Sequence, residues 1–75
     1  MATLRRVSGE ETIKTLERLG FVRVRQRGSH VVMKKRTLEG EVGCVVLLHR
    51  DLAIGTLRGI LRQAGVSLDE FVEYL

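Results

Sequence analysis

Apolar positions along this chain fall into two periods, one helical and one extended. Ile13, Leu16 and Leu19 share a helical face and follow Ser8-Gly9-Glu10-Glu11. That S-x-x-E start is a capping box, in which Ser and Glu satisfy first-turn amides reciprocally. Gly20 suits the end of this helix, which is expected over roughly Gly9 to Leu19. "FVRVRQR" then alternates with period two. In that phase Val22, Val24 and Gln26 face one side, and Phe21, Arg23, Arg25 and Arg27 the other. Gly28-Ser29 reads as a turn, and "HVVMKKR" returns as a second strand. With Gly28 and Ser29 as the loop, Arg27 lies opposite His30 and Arg25 opposite Val32. His30, Val32 and Lys34 then share the arginine face, while Val31 and Met33 face the core. "TLEGEVG" reads as a polar connection, and Cys44 to Leu48 as a short buried strand. Leu57, Ile60, Leu61 and Ala64 mark a second helix from about Ile54 or Gly55 to Ala64, closed by Gly65. Thr56 caps that helix or sits in its first turn. A second capping box, Ser67 to Glu70, opens a short helix from Leu68 to Tyr74 carrying Phe71, Val72 and Leu75. The predicted order is α-β-β-β-α plus a short C-terminal helix. This is an α+β fold in two layers, with a three-stranded antiparallel sheet, helices on one face and the other face free.

The 75 residues are read as one domain, residues 1–75, near the lower size limit for a single core. Charge changes the picture more than composition does. Residues 1–62 hold all 13 Lys and Arg against six acids (+7), and residues 63–75 hold three acids and no base (−3). A basic body with an acidic end points to a polyanionic partner, nucleic acid first. With three aromatics and no Trp, base stacking on aromatic rings has little material. No apolar run reaches the ~18 residues of a membrane span, so no membrane role is expected. "MATLRRVSGEE" has no apolar h-region, so no signal peptide is expected. The lone Cys44, in an apolar run, suits a buried thiol in a reducing cytoplasm.

These residues form a recognisable set. "LERLGFVRVRQRGSHVVMKK" followed by "LHRDLAIGTLRGILRQAGVS" resembles the HicA toxin family, the ribonuclease halves of HicA–HicB toxin–antitoxin pairs. The features are the helix ending "LGF", the "RQRGSH" turn, the "LH" after strand three, and "GTLRGILRQAGVS" across helix two. They span roughly residues 8 to 67. The chain departs from the family at Leu48, where a proline is frequent, and at Ala53-Ile54, where a basic pair is. The resemblance implies a fold like the double-stranded-RNA-binding domain and cleavage of RNA, chiefly messenger RNA, without a ribosome. It also implies a catalytic histidine at the G-S-H position, His30, and a HicB-type antitoxin that covers the site.

The chemistry of the residues is compatible with that. RNA is cut when a base removes the 2′-hydroxyl proton and cations stabilise charge on the phosphate. Histidine suits the first task, with its pKa near neutrality. Arginine suits the second, with its planar fork. His30 is therefore the expected general base, with Arg25, Arg27 and Lys34 as phosphate contacts. Gly28 gives backbone freedom and room for RNA. Ser29 shapes the turn or offers a hydroxyl to phosphate, rather than acting as nucleophile. His49 is read as an RNA contact or an ordering residue, with a general-acid role as the alternative. At the start of helix two, Thr56 and Arg58 are candidate phosphate contacts, and Arg62 follows one turn on. His30, Cys44 and His49 lack metal-ligand spacing, so neither metal nor cofactor is expected. Val32, exposed in this register, suggests an apolar patch for the antitoxin. The alternative function is a non-catalytic RNA-binding module of the same fold.

Overall fold

A computed structural model describes residues 6–75. The expectation about a signal peptide rests partly on residues 1–5, which lie outside the described residues. The element order is α1 (Gly9–Arg18), β1 (Val22–Arg27), β2 (His30–Thr37), β3 (Gly40–Leu47), α2 (Ile54–Ala64) and α3 (Leu68–Tyr74). The three strands form one antiparallel sheet in the order β1-β2-β3. This is the expected α+β arrangement, similar to the double-stranded-RNA-binding domain.

Local chemistry explains the ends of the helices. Ser8 Oγ accepts from the Glu11 amide at 3.0 Å, and the Ser8 amide donates to Glu11 Oε1 at 3.0 Å. The capping box is therefore closed in both directions. At α3 the Ser67 hydroxyl accepts from the Glu70 amide at 3.1 Å. α2 ends on Gly65 at φ 70°, a left-handed position that costs a side-chain-bearing residue energy. Gly9 is needed for another reason. Its amide donates to the His49 carbonyl at 2.8 Å, and a Cβ there would collide with the Leu47 carbonyl. The N-terminus of α1 is thus docked directly on the exit of β3.

Two sequence expectations need correction. The β2–β3 connection is not a long polar loop. β2 runs to Thr37 and β3 starts at Gly40, with Leu38-Glu39 as a tight turn. Thr37 Oγ1 donates to the Gly40 carbonyl at 2.9 Å and accepts from the Glu39 amide, which closes the turn. β3 is accordingly Gly40–Leu47 rather than Cys44–Leu48.

The second correction concerns β1. Arg27 pairs with His30 and Arg25 with Val32, as expected, but Arg23 pairs with Met33 and Val22 with Lys34. Val24 is an extra residue, a β-bulge that reverses the phase of everything before it. Phe21 is consequently buried and Val22 and Val24 are exposed, the opposite of the simple alternation. Arg23 turns to the helix side, where Glu10 lies at 3.1 Å and Glu17 at 3.5 Å.

The core lies between sheet and helices. Ile13 and Leu16 of α1, Val31 and Met33 of β2, Cys44 and Val46 of β3, and Leu57, Ile60 and Leu61 of α2 meet there. Leu52 joins through a bridge to Val7, its amide donating to the Val7 carbonyl at 2.8 Å. α3 completes the core. Phe71 is fully buried, and Arg18 of α1 donates to the Tyr74 carbonyl at 2.9 Å. Among the described residues no helix is long and apolar enough to cross a membrane.

Candidate nucleic-acid interface

The helices cover one face of the sheet, and the other face is built from rows of paired residues. Arg27, His30 and Leu47 form the first row, next to the β1–β2 turn. Arg25, Val32 and Val45 form the second. Val22, Lys34 and Gly43 form the third, and Arg36 with Glu41 lie beyond it. Among the described residues, no hydrogen bond or ion pair engages the side chains of Arg25, Arg27 or His30. Lys34 differs, since Glu41 lies 3.4 Å from its ammonium. That pair is half-exposed, so it holds the lysine only weakly.

The turn that carries His30 is fixed from two sides. Gly28 takes φ 59°, and its carbonyl accepts from Gln26 Nε2 at 3.1 Å. A side chain at Gly28 would meet nothing within 4 Å, so this corner is open. The Ser29 carbonyl accepts from the Leu48 amide at 2.8 Å. This bond ties the turn to the exit of β3 and sets the backbone next to His30. Ser29 and His30 are both exposed.

His49 sits elsewhere. It is exposed, and it borders a depression shared with Ser8, Glu10, Leu48 and Arg50 at the start of α1. Its carbonyl anchors Gly9, so its backbone orders the strand exit. The depression it borders includes no residue of the His30 row.

Helix α2 begins without a side-chain cap, since its N-cap is Ala53. Thr56 is the third residue of the helix and does not cap it. Thr56 instead lines an open groove of about 420 Å³ between α2 and β3, together with Val45, Leu47 and Arg62. Leu47 pairs with His30, so this groove adjoins the first row of the sheet face. Arg58 is exposed on α2. The structure therefore places Arg25, Arg27, Gly28, Ser29, His30 and Thr56 at one end of the sheet. Lys34 lies further along the same face, and His49 follows β3 at the start of α1.

Sequence reasoning missed part of this surface. Val22 and Val24 belong to it because of the bulge. Val45 belongs to it because β3, expected to be buried, turns Val45 to the open face opposite Val32. A shallow depression between Val24, Arg25, Val32 and Lys34 makes the face apolar and basic at once. Cys44 faces the core, where burial pushes its thiol up to about 11. Among the described residues no three His, Cys, Asp or Glu side chains form a metal-ligand group.

No curated protein matches the chain at a significant level. A family model described as the HicA toxin of bacterial toxin–antitoxin matches residues 9–66, from the first residue of α1 to just past α2. The match takes in the hairpin turn, all three strands and the α2–β3 groove, and it stops short of α3. The chain belongs to the HicA toxin family.

Proposed function

We propose that this toxin is a metal-independent endoribonuclease that cleaves messenger RNA, with His30 as general base. The observation that carries the reading is the placement of His30. It stands exposed in a row with Arg27, beside Arg25, on a sheet face that the helices leave open. A histidine needed only for packing has no reason to stand there with cations on its flank.

The chemistry balances with one histidine. His30 takes the proton of a 2′-hydroxyl as that oxygen attacks the adjacent phosphorus. The bond from phosphorus to the 5′-oxygen breaks, and the leaving oxygen takes a proton from solvent. Arg25 and Arg27 offer fixed donors to the phosphate oxygens as charge builds. Lys34 adds a third cation on release from Glu41. Gly28 leaves room for the chain at the turn, Ser29 offers a hydroxyl, and Thr56 and Arg58 hold phosphates at the start of α2. His49 contributes an outer RNA contact and orders the exit of β3. The products are a 2′,3′-cyclic phosphate and a 5′-hydroxyl.

A HicB-type antitoxin is the proposed partner, covering the free face. The half-buried Val32 and the exposed Val22, Val24 and Val45 offer it apolar area amid the cations.

The experiment for the reaction is substrate-based. Cleavage is followed on an RNA whose 2′-hydroxyl is replaced by hydrogen at the established cut site. Cutting at that site should cease while neighbouring sites remain, and the ends of normal products should be cyclic. Cutting of the deoxy-substituted bond at an unchanged rate would exclude the 2′-hydroxyl mechanism.

A further inference from the structure

The groove between α2 and β3 shares Thr56 with the proposed phosphate contacts, and the rest of its lining has no part in the chemistry described above. We infer that it is a base-recognition subsite, which takes one unpaired nucleobase next to the bond cut at His30. This rests on the ribonuclease reading.

Four observations support it. The first is position. Leu47 lines the groove and pairs directly with His30, so the groove opens beside the proposed catalytic row. A ribose held at His30 would place a neighbouring base at its mouth. The second is size. About 420 Å³ falls within the roughly 300–1,000 Å³ range of small-ligand pockets. It offers room for a base, not for a duplex.

The third observation is Gly59. Glycine inside a helix costs about 1 kcal/mol relative to alanine. A close packing contact normally explains such a residue, yet a Cβ at Gly59 would meet nothing within 4 Å. Its φ is not positive, so backbone conformation does not require it either. Gly59 lines the groove, and what its missing side chain does is keep the floor open.

The fourth observation is the lining chemistry. Val45, Leu47 and Ile60 give an apolar floor to lie against a base. Arg62 can stack its guanidinium plane on a base, the role that aromatic residues fill elsewhere. Gln63 carries both a donor and an acceptor, the pair that reads a base edge. Among the described residues neither side chain has a partner, and no acid lines the groove. One cation and no acid suit a single nucleotide, whose base takes the apolar floor while its phosphate stays at the His30 row. An acidic peptide carries several carboxylates and would find one cation. Recognition of a splayed base further implies that the substrate is single-stranded at the cut.

The test uses the full chain with Gly59→Leu and Gln63→Ala. Leucine favours helix and a Cβ at that position meets nothing within 4 Å, so the unfolding temperature of Gly59→Leu should not fall. Its cleavage of a mixed-sequence single-stranded RNA should drop at least tenfold. Gln63→Ala sits on the surface and keeps the fold in any case. It should relax the base preference at one position flanking the cut. Both variants cutting at the wild-type rate, with the wild-type pattern of sites, would overturn the proposal.

A binding arm separates this from failure of the catalytic reading. If the wild-type chain binds a short single-stranded oligoribonucleotide but never cuts it, the ribonuclease reading falls. The groove is then judged on affinity alone. A tenfold weaker complex with Gly59→Leu upholds the subsite, and an unchanged Kd removes it.

Discussion

Three arginines alternate along β1, and they stand in different surroundings. Arg25 and Arg27 stand on the free face in the His30 and Val32 rows, whereas Arg23 pairs with Glu10 and Glu17 on the helix side. The bulge at Val24 is what separates them. Arg25→Ala should therefore lower RNA cleavage at least tenfold, because a donor to the developing phosphate charge is lost. Arg23→Ala should leave cleavage within about twofold of wild type. It should cost at most ~1 kcal/mol of stability, since its ion pairs are exposed. Cleavage rates and urea unfolding of the two variants, side by side, check this. Equal loss of cleavage in both would mean that Arg23 also reaches the RNA. None of this division was legible in "FVRVRQR". A strict alternation gives all three arginines one face, and a bulge leaves no compositional mark in a strand without glycine. Phe21 was the available clue, because a phenylalanine next to Gly20 belongs in a core and conflicts with that phase.

At the scale of elements, the hairpin and the helices were written plainly in the sequence. Gly28-Ser29 set the β1–β2 register, which placed His30 opposite Arg27 and Val32 opposite Arg25. Ser8 with Glu11 and Gly65 set helix ends. The β2–β3 turn was hidden, because Leu38-Glu39 are not turn formers and the Thr37 hydroxyl supplies the closure. As a result the strands run longer than expected, with Val45 next to Val32. The apolar centre of the sheet face is the proposed antitoxin contact. Val32→Lys places a charge at that centre, which should weaken antitoxin binding at least tenfold while the sheet stays folded. Calorimetry against the purified HicB-type partner measures it. An unchanged Kd would move the antitoxin footprint away from this face.

At the scale of the molecule, a small basic body depends on a helix outside the family match. A 75-residue chain has a folding stability of roughly 4–11 kcal/mol, from about 0.05–0.15 kcal/mol per residue. Phe71 of α3 is fully buried against the core. Its truncation to alanine should cost about 3–5 kcal/mol, a large part of that total. Thermal unfolding of Phe71→Ala should show a much lower midpoint. A change below ~1 kcal/mol would mean that α3 is dispensable. The acidic residues Asp69, Glu70 and Glu73 thus ride on a structural helix. The groove beside α2 exists only at this scale. It needs β3 and α2 side by side, which no local pattern in "GTLRGILRQAG" announces. The sequence could show a glycine at position 59, but not that the space beside it is empty.

The central claim is that His30 acts on RNA from an open basic sheet face. The measurement that tests it most directly is cleavage of a labelled single-stranded messenger RNA, in chelator, by wild type and His30→Ala, with binding measured in parallel. The account predicts that wild type cuts, and that His30→Ala binds comparably but cuts at least a hundredfold more slowly. A variant that cuts within tenfold of wild type would contradict it. The histidine would then be a residue of the exposed strand, and the catalytic base would have to be sought elsewhere in the chain.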